Sequence, residues 1–127
     1  MPLKMAITSH CDPDCTVVAL DGELDATTRV KARDALDALL AQGRDRIVLD
    51  VTALRFCDSG GIWLLLDVHR RVRRSGGWVR LAGAEGFLRR LLALTRLDAA
   101  FALDADVAAS MAAVSAPTPR SRDDAGG

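Results

Sequence analysis

Cys57-Asp58-Ser59-Gly60-Gly61 separates a short β-branched run from a longer apolar run. The run before it, residues 46–51 (Arg-Ile-Val-Leu-Asp-Val), is typical of a buried strand. The run after it, residues 62–68 (Ile-Trp-Leu-Leu-Leu-Asp-Val), is followed by basic residues and indicates a helix with a broad apolar stripe. Ser59 is therefore predicted to lie where a loop turns into a helix.

The surroundings of Ser59 suit two roles. Its hydroxyl can cap the first helical turn, whose backbone N–H groups lack partners inside the helix. Gly60 and Gly61 give the backbone freedom and leave out side chains that would block an approaching molecule. The position therefore fits either an N-cap or a phosphate acceptor, and these residues alone leave both open.

Length and charge restrict the class of protein. A chain of 127 residues favours a single domain with a modest core. The 17 basic and 17 acidic residues give a formal net charge of zero, which argues against a dedicated nucleic-acid or anionic-membrane binder. No apolar stretch approaches the roughly 20 residues of a membrane span, and no signal-peptide core is evident. We expect a cytoplasmic protein with neither nucleic acid nor membrane as a partner.

The cysteines and histidines do not suggest a metal centre. Cys11, Cys15 and Cys57 are too few, and odd in number, for a disulfide scaffold, so reduced thiols are expected. His10 with Cys11 and Cys15 could begin a metal site, but a closed zinc site needs four ligands, and His69 and Cys57 are distant in sequence. With no glycine-rich phosphate loop either, we expect no metal and no cofactor.

Apolar periodicity and turn residues predict strands that alternate with helices. This order indicates the α/β class, with a mixed, mostly parallel sheet of four to five strands covered by about four helices. The predicted strands are residues 5–9 (an edge strand), 16–20, 47–51, 78–82 and 101–103, and the predicted helices are 26–42, from the Ser59 turn to about 74, 86–94 and 106–114. Residues 1–114 form the predicted domain, and the polar tail 115–127 is predicted to be disordered.

Two predicted loops follow consecutive strands of the sequence. Residues 21–25 follow the second predicted strand and residues 57–61 follow the third. In sheets of this kind, functional residues usually lie at the carboxyl ends of the strands. We therefore expect both loops at the same end of the sheet. Asp25 is the expected N-cap of the first helix, and Gly43 the expected stop.

Several separated motifs resemble the STAS domain of bacterial anti-sigma factor antagonists. They are Leu20-Asp21-Gly22-Glu23-Leu24-Asp25, Val48-Leu49-Asp50-Val51, Phe56-Cys57-Asp58-Ser59-Gly60-Gly61-Ile62, Gly76-Gly77-x-Val79-x-Leu81 and Leu91-x-x-Leu94-Thr95-x-Leu97-Asp98. They occur in the family's order, and the resemblance runs from about residue 16 to about residue 114. It implies a STAS-like single domain.

The resemblance implies a regulator of transcription that works by partner switching and is not an enzyme. In the family, the unphosphorylated protein binds an anti-sigma factor that is also an ATP-dependent serine kinase, and so frees a sigma factor. Phosphorylation of the first serine after the aspartate ends that binding, and a serine phosphatase reverses it. Ser59 matches this phosphoacceptor, whereas Gly60 departs from the pattern, which usually has a second Ser or Thr there.

The predicted partner-binding residues surround this serine. Phosphate would add about −1.5 to −2 charges, which a helix N-terminus favours and neighbouring carboxylates repel. Asp58 and Asp25 are expected mainly to bond backbone N–H groups, with pairing to a kinase arginine as the alternative for Asp58. The predicted set is Glu23, Asp25, Asp58, Ser59, Gly60, Gly61 and Trp63.

Trp63 is predicted to be an exposed anchor for the partner. It follows Ser59 by four residues, so the two side chains share a helix face. The core is better served by residues at helical spacing on another face, namely Ile62, Leu65, Leu66 and Val72. The family pattern usually has a small residue at position 63. The alternative is that Trp63 merely covers a local apolar groove.

Three other functions compete with this one. Asp50 after an apolar strand suggests a receiver domain, but Lys4 and Lys31, the only lysines, lie too early for that fold. Ser59 lacks the Gly-x-Ser-x-Gly elbow and an evident base, which excludes a serine hydrolase. A STAS scaffold or regulatory subunit of another signalling or transport assembly, without sigma-factor switching, remains the alternative.

Overall fold

The structure, a computed structural model, describes residues 2–11 and 14–115. In these residues, six strands form one mixed sheet. The strands are β1 (Leu3–Cys11), β2 (Asp14–Leu24), β3 (Arg46–Asp50), β4 (Leu54–Cys57), β5 (Trp78–Ala82) and β6 (Ala102–Asp104), and the helices are α1 (Arg29–Ala41), α2 (Ser59–Arg74), α3 (Gly86–Leu94) and α4 (Val107–Ser115). The main sheet order is β1-β2-β3-β5-β6. Only β1 pairs antiparallel, so the predicted mixed, mostly parallel α/β fold with four helices is confirmed.

Helices cover both faces of the sheet. Alternate strand residues such as Val18 and Leu49 are fully buried in the main core, together with Leu36 of α1, Leu65 of α2 and Leu88 of α3. The intervening strand residues face the other way and pack against α4, through Val17, Val48, Ala82, Val107 and Met111. Burial on both faces explains why β3 reads as a continuous apolar run.

The sequence prediction missed one strand and placed the end of another too early. β4 was not predicted, and β2 continues to Leu24, so residues 21–24 are strand and not loop. The register of β2 against β4 shifts between Gly22 and Glu23, and Gly22 has a φ of 123° that disfavours any residue with a Cβ. This register shift marks a β-bulge, a feature at which a strand departs from regular geometry.

A tight turn connects β3 to β4. The Asp50 carboxylate accepts hydrogen bonds from the Thr52 backbone N–H, at 3.1 Å, and from the Thr52 hydroxyl, at 2.6 Å. Asp50 therefore shapes this turn.

Residues 115–127, predicted as a disordered tail, lie outside the described residues apart from Ser115, at which α4 ends. Within the described ranges, no helix combines the length and the apolar character needed to cross a bilayer.

Candidate functional site

The loops that follow β2 and β4 lie side by side. β2 and β4 are parallel neighbours, with Glu23 opposite Phe56 and Leu24 opposite Cys57. The backbone N–H of Asp58 extends this pairing by donating to the Leu24 carbonyl at 3.1 Å. The prediction that residues 21–25 and 57–61 lie at the same end of the sheet is therefore confirmed, although 57–61 follows the unpredicted β4 instead of β3 and 21–24 are strand residues.

Asp58, and not Ser59, is the N-cap of α2. Its backbone is extended, and its Oδ1 accepts a hydrogen bond from the Gly61 N–H at 2.8 Å. Its carbonyl accepts from the Ile62 N–H at 3.1 Å, which begins the helix. The capping role considered for the Ser59 hydroxyl is thus wrong, because the helix starts one residue earlier than that role requires. The expectation that Asp58 bonds backbone N–H groups is confirmed.

Ser59 occupies the first position of α2 and is exposed. Its hydroxyl forms no hydrogen bond with any other residue in the described ranges. Two other exposed hydroxyls are engaged: Thr52 donates to Asp50, and Ser75 donates to the Val72 carbonyl at 3.0 Å. Within the described part of the chain, Ser59 therefore presents an unbonded hydroxyl at the start of a helix, where backbone N–H groups favour negative charge.

Arg29, a residue that the sequence did not single out, covers the start of α2. Its Nη2 lies 3.4 Å from Asp58 Oδ2, and both side chains are about one-third exposed. A Cβ placed on Gly60 would come within 2.2 Å of the guanidinium carbon, so the guanidinium occupies the space that a side chain at position 60 would need. The Nε–H of Arg29 is buried and lacks a hydrogen-bond partner among the described residues.

Gly61 is required by packing against β2 and β4. A Cβ at this position would lie 2.7 Å from Cys57 Sγ and 2.9 Å from Leu24 Cγ, and both of those side chains are buried. Burial raises the pKa of the Cys57 thiol to about 12, and the neighbouring Asp58 charge adds to the increase. Cys57 is therefore an inert thiol that supports the helix start.

Asp25 shapes the turn between β2 and α1. Its Oδ1 accepts from the Thr27 N–H at 2.9 Å, the Thr27 hydroxyl at 2.7 Å and the Thr28 N–H at 3.2 Å. The hydrogen bond from the Thr27 hydroxyl is the main cause that lowers the pKa of the Asp25 carboxyl. The helix itself begins at Arg29 with Thr28 as N-cap, so the prediction of Asp25 as N-cap is wrong.

Thr28 connects this turn to β2. Its hydroxyl donates to the Glu23 carbonyl at 2.7 Å and accepts from the Asp25 N–H at 3.0 Å. Glu23 is half-buried and lies opposite Phe56, which is 45% exposed. The structure thus brings the predicted residues of the β2 end next to those of the α2 start.

An apolar groove of about 160 Å³ lies between α2 and the end of α3, beside Ser59. It is lined by Ser59, Ile62, Trp63, Leu66, Leu91, Thr95 and Leu97. Trp63 is 63% exposed, whereas Ile62, Leu65, Leu66 and Val72 are buried, so the predicted exposure of Trp63 and the predicted burial of these four residues are confirmed. The prediction that the four lie on a different face from Trp63 holds only in part, because Ile62 and Leu66 line the same groove. The shared lining of one groove also confirms that Ser59 and Trp63 lie on one side of α2.

The site prediction missed the α3 side of this groove. One of the motifs that resemble the STAS domain contains Leu91, Thr95 and Leu97, but the sequence predicts no function for these residues. Thr95 is the C-cap of α3, and its hydroxyl donates to the Leu91 carbonyl at 2.8 Å. Local sequence carries no signature of this groove, because its lining comes from two segments that are separate in sequence, α2 and the end of α3 with the residues after it.

Comparison with known proteins places this geometry in a family. Residues 7–113 match the family described as "Mlab, STAS domain". An anti-sigma F factor antagonist of Paenibacillus polymyxa is 29% identical over 82 residues, which cover 64% of this chain and 70% of that protein.

Solved structures agree with this match. An anti-sigma factor antagonist from Mycobacterium paratuberculosis superposes with a TM-score of 0.80 at 25% identity, over 88% of this chain and 93% of that one. The phosphorylated form of the Bacillus cell fate determinant SpoIIAA shares the fold, with a TM-score of 0.71 at 22% identity, over 87% of this chain and 99% of that one. The resemblance noted in the sequence is confirmed: the chain belongs to the STAS domain family.

Proposed function

We propose that this STAS domain is an anti-sigma factor antagonist that is switched by phosphorylation at Ser59. The unphosphorylated protein binds an anti-sigma factor that is also a serine kinase, and the bound anti-sigma factor releases its sigma factor. Phosphorylation at Ser59 ends the binding, and a serine phosphatase restores it. The chain itself catalyses no reaction in this cycle, and its role is that of a regulated binding surface in the cytoplasm.

The free hydroxyl of Ser59 is the observation that carries the proposal. A kinase needs an accessible acceptor, and this serine is exposed, unbonded within the described residues and located at a helix start. Thr52 and Ser75 would each have to give up a hydrogen bond first. The relatives support the same role, since two of them are named as anti-sigma factor antagonists and a third was solved in a phosphorylated form.

The groove beside Ser59 gives the partner an apolar anchor point. Trp63 stands largely in solvent at its edge, and a tryptophan of this exposure is a frequent hot spot of protein interfaces. The groove lining is mainly aliphatic, so it suits an apolar side chain of the anti-sigma factor. Phosphate at Ser59 would place about −1.5 to −2 charges on the rim of this contact, which an apolar interface does not accommodate.

The remaining predicted residues act through the shape of the site. Asp58 and Asp25 use their carboxylates to hold the α2 start and the β2–α1 turn. Gly61 keeps α2 against the strands, and Gly60 leaves room for Arg29. Glu23 lies at the end of β2, opposite Phe56 of β4. In this proposal Ser59 and Trp63 contact the anti-sigma factor directly.

Phosphorylation by the anti-sigma kinase tests the proposal. The purified kinase with Mg²⁺ and ATP should transfer one phosphate to the protein, and peptide mass spectrometry should assign it to Ser59. Ser59→Ala should remove the modification and keep the affinity for the kinase, and Thr52→Ala is the matched control that should change neither. Phosphate on Thr52 or Ser75, or none at all, would contradict the switch and favour a STAS scaffold in another assembly.

A further inference from the structure

We propose that Arg29 is the internal ligand of a phosphate carried on Ser59, an inference that rests on the proposed function. In the unphosphorylated protein the guanidinium contacts Asp58 and covers Gly60. When Ser59 is phosphorylated, the guanidinium turns from Asp58 to the phosphate. Arg29 is then the positioning residue that gives the switch two defined arrangements.

The guanidinium is close enough to Ser59 for this exchange. Its carbon lies 2.2 Å from the point at which a Cβ of Gly60 would stand. The Gly60 Cα is in turn about 3.8 Å from the Ser59 Cα, as for any two consecutive residues. An arginine side chain has several rotatable bonds and a phosphoserine extends well beyond its Cβ, so a small rotation brings the two groups into contact.

The present contacts of Arg29 leave hydrogen-bonding capacity unused. Its contact with Asp58 is a single one, Nη2 to Oδ2 at 3.4 Å, long for a charge-assisted hydrogen bond. Because the pair is partly exposed, it is worth little and can be exchanged. The buried Nε–H has no acceptor among the described residues, although a buried donor normally has one.

A phosphate would supply the missing acceptors. In the kinase reaction, Ser59 Oγ forms a bond to the γ-phosphorus of ATP while the bond from that phosphorus to the ADP oxygen breaks. ADP leaves, and the hydroxyl proton passes to the base of the kinase or to water. The new phosphate has three acceptor oxygens, and the planar guanidinium can donate to two of them in parallel through Nε–H and an Nη–H.

Asp58 does not prevent this exchange. Its Oδ1 stays engaged with the Gly61 N–H, so the helix cap survives when Oδ2 loses Arg29. Without a counter-ion, the phosphate and the Asp58 carboxylate would repel each other across one peptide unit. The guanidinium on the phosphate offsets part of the phosphate's charge and so reduces this repulsion, and its movement uncovers Gly60 at the same time.

Phosphorus NMR on protein with genetically encoded phosphoserine at position 59 tests the inference. A neighbouring arginine lowers the pKa of a carboxyl by about 1–3, and we expect the second pKa of this phosphoserine to be lower by about 1 than in the same protein carrying Arg29→Gln. Arg29→Lys keeps the positive charge but lacks the planar guanidinium that can donate two parallel hydrogen bonds, so the phosphoserine pKa of this variant should lie between the other two. Arg74→Gln removes an exposed arginine at the far end of α2 and is the matched charge control, expected to titrate like the parent.

A second signal in the same samples reports the contact directly. The Nε–H resonance of Arg29, identified by its loss in Arg29→Gln, should move on phosphoserine incorporation. Equal phosphoserine pKa values in the parent and in Arg29→Gln, with an unmoved Nε–H resonance, would overturn the inference. Because the phosphate is installed without a kinase, this outcome is distinct from a failure of the kinase to modify Ser59, which would count against the proposed function alone.

Discussion

Replacing Gly60 and Gly61 separately by alanine should give different free energies of unfolding, although the two residues are adjacent in the first turn of α2. At Gly61 the new Cβ meets Cys57 Sγ at 2.7 Å and Leu24 Cγ at 2.9 Å, inside the core. Overpacking of this kind costs about 1–3 kcal/mol. At Gly60 the three atoms nearest to the new Cβ all belong to the guanidinium of Arg29, the far end of a flexible side chain.

The Gly60 variant is the matched control for the Gly61 variant. Both substitutions give the same gain in helix propensity, up to about 1 kcal/mol, so this gain cancels in the comparison. Displacing Arg29 loses a partly exposed ion pair worth about 0–1 kcal/mol. We therefore expect Gly60→Ala to unfold at nearly the parent free energy, and Gly61→Ala to be less stable than Gly60→Ala by about 1.5 kcal/mol, the difference between the midpoints of the overpacking cost and the ion-pair cost.

Urea unfolding followed by far-ultraviolet circular dichroism measures both free energies by linear extrapolation. In an Arg29→Ala background, Gly60→Ala should lose its remaining penalty, because the guanidinium that the new Cβ would displace is absent. If Gly61→Ala proves as stable as Gly60→Ala, the close packing of α2 on β2 and β4 is refuted. If the Arg29 background changes nothing, the guanidinium does not occupy the space over Gly60.

The other predictions concern the interface, the thiols and an ion pair. Trp63→Ala should weaken anti-sigma factor binding about thirtyfold, since a hot-spot side chain is worth about 2 kcal/mol, and should leave the urea midpoint unchanged. A lowered urea midpoint with unchanged binding would instead make Trp63 a core residue. A thiol reagent at neutral pH should label exposed Cys11 in the native protein and Cys57 only after unfolding, as peptide mapping would reveal. Hydrogen bonds from Arg80 lower the pKa of the Asp104 carboxyl, so the stabilisation they give is present above about pH 3.9 and is lost as the pH falls through the folded-state pKa. In urea unfolding, Asp104→Asn should therefore lower the free energy of unfolding at neutral pH and much less in acid.

The parts of the fold that follow from local pattern were predictable. β3 and β5 are short runs between turn residues, and α2 carries an apolar stripe over its whole length, so type and position could both be predicted. β4 has its buried residues, Leu54 and Cys57, at its two ends and exposed ones between them, which is not the alternation of a strand. Its pairing depends on the bulge in β2, a feature of tertiary structure.

The two capping errors share one physical origin. Asp58 and Ser59 are both good N-cap residues, as are Asp25 and Thr28, so the sequence offers alternatives one and three residues apart. The choice is made by contacts from elsewhere: the Leu24 carbonyl binds the Asp58 N–H, and the Glu23 carbonyl binds the Thr28 hydroxyl. Helix type is fixed locally, but the first residue of these helices is fixed by the neighbouring strand.

Arg29 illustrates the limit of sequence reasoning at the site. It lies 29 residues from Asp58, in a stretch whose composition is that of an ordinary solvent-facing helix. Gly60 offered the one hint, since it departs from the family's usual Ser or Thr. The structure supplies a reason for that departure, because a side chain at position 60 and the guanidinium of Arg29 require the same space.

The central claim, that phosphate on Ser59 ends binding to the anti-sigma factor, is tested most directly by one pair of affinities. Isothermal titration calorimetry would measure the purified anti-sigma kinase against the protein with serine at position 59 and against the protein with encoded phosphoserine there. We predict tight binding of the serine form and a Kd at least about tenfold higher for the phosphoserine form, a loss of 1.4 kcal/mol or more. Equal dissociation constants, or tighter binding of the phosphoserine form, would contradict it.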